Sequence, residues 1–201
     1  MTLAPAAGGT ERTTTVVIGS GLSGLAVASE LSRQGVDSIV VDSLELFGAA
    51  PAAGASRLTE PGTLIERSEI LRVLRHYASN HSLDIRASSK ATGLRITAGA
   101  ASAGDPQPQQ WLVSTSDGVL LADNIVLTRC AQGQLRRFFA SLGIAIGRDL
   151  TSAMRALGIY LVGIGDAVAP STREILRQAK TVSEAICVSR QPRSAGLTAI
   201  G

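Results

Sequence analysis

The sequence predicts an α/β fold: a parallel sheet with flanking helices and a small β-meander. Three observations carry that prediction. Short β-branched runs such as TTTVVIG (13–19) and DSIVVDS (37–43) read as strands buried on both faces. Between them, LSGLAVASELSRQG (22–35) places Leu22, Leu25, Ala28 and Leu31 at helical spacing and closes on Gly35. Strand, turn, helix and strand within about thirty residues make a βαβ unit, whose two strands lie parallel.

A chain of 201 residues has room for one ordinary domain and a sizeable core. With 45% apolar and 17% charged residues, its profile is globular rather than disordered. A net charge of +3 and an isolated Arg136-Arg137 pair form no basic, aromatic-laced patch, which argues against nucleic acid as a partner. No apolar run approaches the roughly 20 residues that span a bilayer, so no membrane is expected. The opening MTLAPAAGGTERTTT lacks a basic region followed by an apolar one, and no signal peptide is expected there. Cys130 and Cys187 form no CxxC spacing, and with only His76 and His81 besides, no metal site is predicted. Free thiols fit a reducing cytoplasm.

Residues 1–12 are expected to be a disordered lead-in. After the βαβ unit, the Ala-, Gly- and Pro-rich tract 47–62 reads as a loop, and RSEILRVLRHYASNH (67–81) resumes helical spacing through Ile70, Leu71, Leu74 and Tyr77. SLDIRASS (82–89) and ATGLRITA (91–98) read as two short strands, and GAASAGDPQPQ (99–109) as a flexible turn. WLVSTS (111–116) is a strand that DGVLLA continues, and DNIVLTRC (123–130) is another buried strand. GQLRRFFASLG (133–143) is a predicted helix, followed by a linker to about residue 157. GIYLVGIGD (158–166) is the last buried strand and 171–190 the last helix, with Ser171 and Glu174 in capping-box register. One domain is therefore expected over 13–190, with halves 13–130 and 151–190 and a flexible tail over 191–201.

The chemistry is carried by Gly19-Ser20-Gly21-Leu22-Ser23-Gly24, a GxGxxG between a strand and a helix. Gly19 permits the tight turn, Gly21 lets a pyrophosphate approach the backbone, and Gly24 lets the helix pack close to the sheet. The helix N-terminus then offers N–H groups and a positive dipole end to the phosphates. Asp42 ends the second strand about twenty residues on, where an acid accepts hydrogen bonds from ribose hydroxyls. Its charge opposes a 2′-phosphate, which disfavours NADP, while the ribose of FAD and that of NAD fit equally. This constellation makes the fold Rossmann-type.

The late strand GIYLVGIGD, ending in Gly165-Asp166, resembles a signature of the two-dinucleotide-binding flavoproteins: the pyridine nucleotide-disulfide reductases and, more closely, the flavin-containing monooxygenases. The resemblance spans about residues 14–130 and 151–188. It implies that Asp166 bonds the ribityl chain of FAD, that Gly165 gives the phosphates room, and that Tyr160 packs inside. It also implies that the region of Arg57 and Arg67 approaches the flavin, which makes Arg67 a cofactor-binding candidate. FAD is thus the expected cofactor, ahead of NAD. Two departures from the family pattern stand out. Where the family has Ala-Thr-Gly, this chain has Thr128-Arg129-Cys130, which either crowds the cofactor or sets Arg129 against its pyrophosphate. The family's inserted βαβ domain for NAD(P)H, with its own GxGxxG, has no counterpart between Cys130 and Gly158.

No side chain announces a reaction. Cys130 and Cys187 read as small hydrophobes, His76 and His81 as solvent-facing groups at a helix end, and Trp111 as core. Catalytic residues stay unassigned, as the isoalloxazine carries flavin redox chemistry and the protein supplies position and electrostatics. The leading reading is a small FAD-dependent oxidoreductase-like flavoprotein, served by a small-molecule substrate or a redox partner protein. Its exposed rim favours a homodimer. The alternatives are a non-catalytic dinucleotide-binding or interaction protein derived from such a flavoprotein, and an NAD-binding dehydrogenase or sensor.

Overall fold

The computed structural model of the chain describes residues 9–44, 61–97, 110–128, 137–140, 150–164 and 170–190. Along the chain run β1 (Thr10–Ile18), α1 (Leu22–Arg33), β2 (Ser38–Leu44), α2 (Pro61–Asn80), β3 (Asp84–Thr97), β4 (Gln110–Thr115), β5 (Val119–Leu127), α3 (Leu150–Ala156), β6 (Ile159–Leu161) and α4 (Thr172–Arg190). Residues 137–140 form a helical turn.

β1 sits at the centre of one sheet, parallel to β2 on one side and to β5 on the other. β2 continues parallel into the start of β3, and β5 pairs parallel with β6. β4 runs antiparallel to both β3 and β5, so the meander shares two strands with the parallel part and partly closes the sheet. The sheet is therefore mixed: the expected parallel strands and small meander are both present, but they share β3 and β5, so the sheet is not wholly parallel. The sharing works because β3 and β5 are long enough to serve two neighbours in succession. Val41 aligns with Arg86 of β3 while Ile96 aligns with Trp111. On β5, Leu121 aligns with Leu112 of β4, and Val126 with Tyr160 of β6.

Alternation along the central strands divides the core into two clusters, as successive side chains of a strand point to opposite faces. Val16, Ile18, Ile39, Val41, Ile125 and Leu127 pack toward the meander with Trp111, Val113, Phe139 and Met154. Val17, Val40 and Val126 pack on the opposite face against Leu22, Ala26 and Leu31 of α1 and Ile175, Ala179 and Ile186 of α4. Burial on both faces explains why these strands read as continuous apolar runs. Each fully buried Val, Leu or Ile contributes about 1.5–3 kcal/mol.

Several boundaries differ from the sequence reading for identifiable reasons. β1 begins at Thr10, because Thr10–Thr13 pair with Val119–Ala122 of β5, a partner no local signal reveals. α2 begins at Pro61, where a proline without an N–H costs nothing in the first turn. The two expected strands over 82–98 form one, β3, with register shifts near Asp42 and Gly93 in place of a break. DGVLLA does not continue β4: Gly118 takes φ 151°, its carbonyl accepts from the Thr115 amide at 2.8 Å, and the chain reverses into β5. Asp-Gly between apolar runs is a hairpin signal. The expected linker contains α3, and β6 is only three residues long.

Candidate functional site

The order β2, β1, β5 makes the carboxyl end of β1 a switch point, since the chain leaves β1 for β2 on one side and returns as β5 on the other. In open α/β sheets the crevice beyond such strand ends receives ligands. The Gly19–Gly24 turn lies there. Its base is fixed from both sides: the Gly19 amide donates to the Val41 carbonyl of β2 at 2.8 Å, and the Thr128 amide donates to the Ile18 carbonyl at 3.1 Å.

The three glycines meet three different environments. Gly19 has φ 118°, and a Cβ there would overlap the Thr128 hydroxyl. A Cβ on Gly24 would overlap the Gly19 carbonyl, so the close packing of α1 on the turn requires glycine. A Cβ on Gly21 would meet nothing within 4 Å. That openness leaves the backbone at Gly21 accessible beside the start of α1. Gly21 also caps α1 without any side-chain cap bond, and no acid stands in the first turn, so none of the helix's own first-turn side chains occupies its N-terminus.

Ser20 and Asp42 come together beside the turn, with the Ser20 hydroxyl 3.5 Å from Asp42 Oδ1. Asp42 is half-buried at the end of β2. Next to Ser20 opens a cavity of about 360 Å³, walled by Leu25 of α1, Arg75 and Ala78 of α2, and Ile85 and Ala87 of β3. Its size falls in the range of small-molecule sites. Leu22 and Ser23 are buried at the start of α1.

Arg67 is exposed near the amino end of α2 and does not line this cavity; Arg75, two turns further along, does. Nothing in the sequence marked Arg75. Gly165 and Asp166 lie outside the described residues, as do Arg57, Arg129 and Cys130. The late strand nonetheless reaches the turn. Just beyond β6, Gly163 has φ 74°, a Cβ on it would overlap the Ser23 hydroxyl, and its amide donates to Gln178 Oε1 at 2.9 Å. The first glycine of VGIGD was thus the informative one for packing. Tyr160 is buried as expected.

Thr128 is buried, with its hydroxyl donating to the Ile18 carbonyl at 2.9 Å. It grips β1 from behind the turn. Among the described residues no group of His, Cys, Asp and Glu is arranged to hold a metal ion. His76 and His81 are exposed at the end of α2, His76 within 3.1 Å of Asn80 and His81 stacked on Tyr77 at 4.0 Å. Cys187 is a free, half-buried thiol on α4. No helix among the described residues is long and apolar enough to cross a membrane.

Residues 12–64, which hold the βαβ unit, match the family model described as the FAD binding domain. No curated protein matches the chain. Among solved structures, the thioredoxin reductase of T. acidophilum aligns with a TM-score of 0.52 at 10% identity, covering 89% of this chain and 99% of that one. The thioredoxin reductase of Gloeobacter violaceus aligns over 60% of this chain and 37% of its own, at 20% identity and a TM-score of 0.41. A flavin monooxygenase from Stenotrophomonas maltophilia aligns over 59% of this chain and 38% of its own, at 21% identity and a TM-score of 0.35. The chain spans less than two-fifths of the Gloeobacter and Stenotrophomonas chains. With a glycine turn at the switch point and an acid beside it, residues 12–64 are similar to the FAD binding domain, and FAD is the cofactor that this similarity indicates.

Proposed function

We propose that this chain is a Rossmann-type, FAD-dependent oxidoreductase-like flavoprotein, one domain over residues 13–190 without an NAD(P)H-binding domain of its own. The observation that carries the reading is the open space over Gly21, next to Asp42, at the switch point of the sheet. In this reading the backbone of Gly19–Gly24 and the N-terminus of α1 hold the pyrophosphate. Asp42 accepts from the adenosine ribose, oriented by Ser20. Asp166 bonds the ribityl chain, with Gly165 leaving room, and Arg67 is a further cofactor contact. The bound flavin supplies the electron-accepting chemistry. The residues around it bind, orient and keep water from its pyrophosphate. Electrons arrive from a small-molecule substrate, a free nicotinamide cofactor or a redox partner protein, and the open rim is covered by a second copy.

The test is a spectrum and two titrations. Purified protein is expected to be yellow or to take up FAD stoichiometrically. Gly21→Val is expected to abolish binding of both FAD and ADP-ribose, because a branched side chain fills the open space, while the melting temperature holds. Asp166→Ala is expected to weaken FAD by about 1.5–3 kcal/mol, as for a bond to a charged group, and to leave ADP-ribose unchanged. Colourless protein that binds ADP-ribose but not FAD overturns the flavoprotein reading in favour of a plain dinucleotide-binding protein. Wild-type FAD affinity in Gly21→Val places the site elsewhere.

A further inference from the structure

Exposed apolar side chains are concentrated on one helix. Of the four large hydrophobic residues that stand exposed among the described residues, three lie on α2: Leu64 at 56%, Ile65 at 62% and Val73 at 60%. The inner face of α2 is accounted for, since Ile70, Leu71 and Leu74 pack against the core cluster that holds α1 and α4. The outer face carries Ile65, Glu69, Arg72 and His76, all exposed, at intervals of four, three and four residues. Such spacing sets them in one line along the helix, roughly 17 Å at ~1.5 Å per residue, as in the seam of a two-helix coiled coil. Val73 flanks that line. We propose that α2 is the face on which a second copy of this chain docks, with the two helices antiparallel across a twofold axis.

The order of residues along the seam selects the occupant. A twofold axis midway between Glu69 and Arg72 lays the seam on its own reverse. Glu69 of one copy then meets the partner's Arg72, Arg72 meets the partner's Glu69, and Ile65 packs at either end against the partner's His76 and the partner's Val73. Each seam position finds its complement on the same surface of the other copy, which is the condition for an isologous interface. Parallel helices in register would instead oppose Glu69 to Glu69 and Arg72 to Arg72, and such like-charge contacts are costly. Neither Glu69 nor Arg72 forms an ion pair among the described residues, so neither charge is committed to a neighbour there. An acidic or a basic partner would satisfy one of the two charges, and an apolar one would bury both without a counter-charge. A second α2 satisfies both. The pairing goes beyond the flavoprotein reading and does not rest on it, because no seam residue is among those assigned to the cofactor.

Sedimentation velocity of the full chain across the micromolar range tests the pairing. A reversible monomer–dimer equilibrium is expected, with a dissociation constant on the order of 10 μM, as suits a contact at the small end of specific interfaces. Ile65→Asp should weaken the dimer about tenfold, and the melting temperature of the dilute monomer should hold because the side chain is exposed. Glu69→Arg and Arg72→Glu should each weaken it by a similar factor, since each sets like charges face to face. The double variant Glu69→Arg/Arg72→Glu should recover the dimer, and the two single variants mixed should form a heterodimer tighter than either homodimer. Gly21→Val should dimerise as the wild type does, so loss of the flavin site and loss of this interface are separate results. The assignment is overturned if the wild type stays monomeric throughout the range, if Ile65→Asp and both charge variants dimerise as the wild type does, or if the double variant associates no better than the single ones.

Discussion

Gly19 and Thr128 are 109 positions apart in the chain, yet each sets what the other can be. The hydroxyl that would collide with a Cβ on Gly19 is the one donating to the Ile18 carbonyl. Gly19→Ala should be strongly destabilising, since φ 118° is strained for any L side chain and the Cβ meets Thr128. Thr128→Val keeps the shape and removes one bond, and should cost about 1 kcal/mol, because the Ile18 carbonyl still receives the Thr128 amide. Thr128→Ala should partly rescue Gly19→Ala, giving a non-additive double-mutant cycle in urea denaturation. Gly24→Ala should not be rescued, as its obstacle is the backbone carbonyl of Gly19. Additive losses in the first cycle would show that the two residues do not share space. The backbone demands on Gly19 and Gly24 were legible in the sequence because a GxGxxG turn needs a tight bend and a close helix at those positions. The grip of Thr128 was not, because nothing local says what a residue just beyond β5 does to a residue on β1; from sequence, Thr128-Arg129-Cys130 stood open between crowding the cofactor and setting Arg129 against its pyrophosphate.

At the scale of elements, the start of α4 shows how a motif is met in part. The Glu174 amide bonds to the Ser171 hydroxyl at 3.2 Å, the forward half of the expected capping box. The Glu174 carboxylate turns the other way, to Arg177 at 2.8 Å and Gln178 at 2.9 Å. Arg177, then Gln178, hold the Glu174 carboxyl below its ordinary value of 4.5. A depressed carboxyl contributes stability above its unfolded value and loses it as pH falls through the folded one, so any contribution vanishes in acid. Because the pair is exposed, solvent and salt screen it. Ser171→Ala should therefore cost about 1 kcal/mol at any pH where the protein folds. Glu174→Gln should lower the melting temperature less, in full only above pH 4.5 and at low salt, with the loss fading as pH falls below that value. Melts across pH and ionic strength check this; a salt-insensitive loss at pH 7 would mean that Glu174 acts through packing. The βαβ unit and the last helix were legible because their periodicity and end signals agree. α3 and the β4–β5 hairpin were not: α3 is only seven residues long, and Asp117-Gly118 was read as part of a strand despite its turn chemistry.

For the whole molecule, the question is whether the parallel part and the meander unfold together. β3 and β5 belong to both, and Trp111 ties them further. It is fully buried among residues of β1, β2, β5 and β6, and its indole N–H donates to the Leu157 carbonyl, 46 residues away, at 2.7 Å. Trp111→Ala should cost about 3–5 kcal/mol through the cavity it leaves, a large part of the roughly 5–15 kcal/mol that holds a domain folded. Trp111→Phe should cost less, but it leaves the Leu157 carbonyl without its indole donor. As the only tryptophan in the chain, Trp111 also reports on the meander by fluorescence, while far-ultraviolet circular dichroism reports mainly on α1, α2 and α4. If the shared strands make one cooperative unit, the two signals should trace a single urea transition with the same midpoint. Adding FAD should move both midpoints upward by the same amount, because a ligand of the native state stabilises everything that unfolds with its site. Separated transitions, with only the dichroism midpoint responding to FAD, would show that the meander and the βαβ unit fold independently, and that strand sharing does not couple the core around Trp111 to the glycine turn.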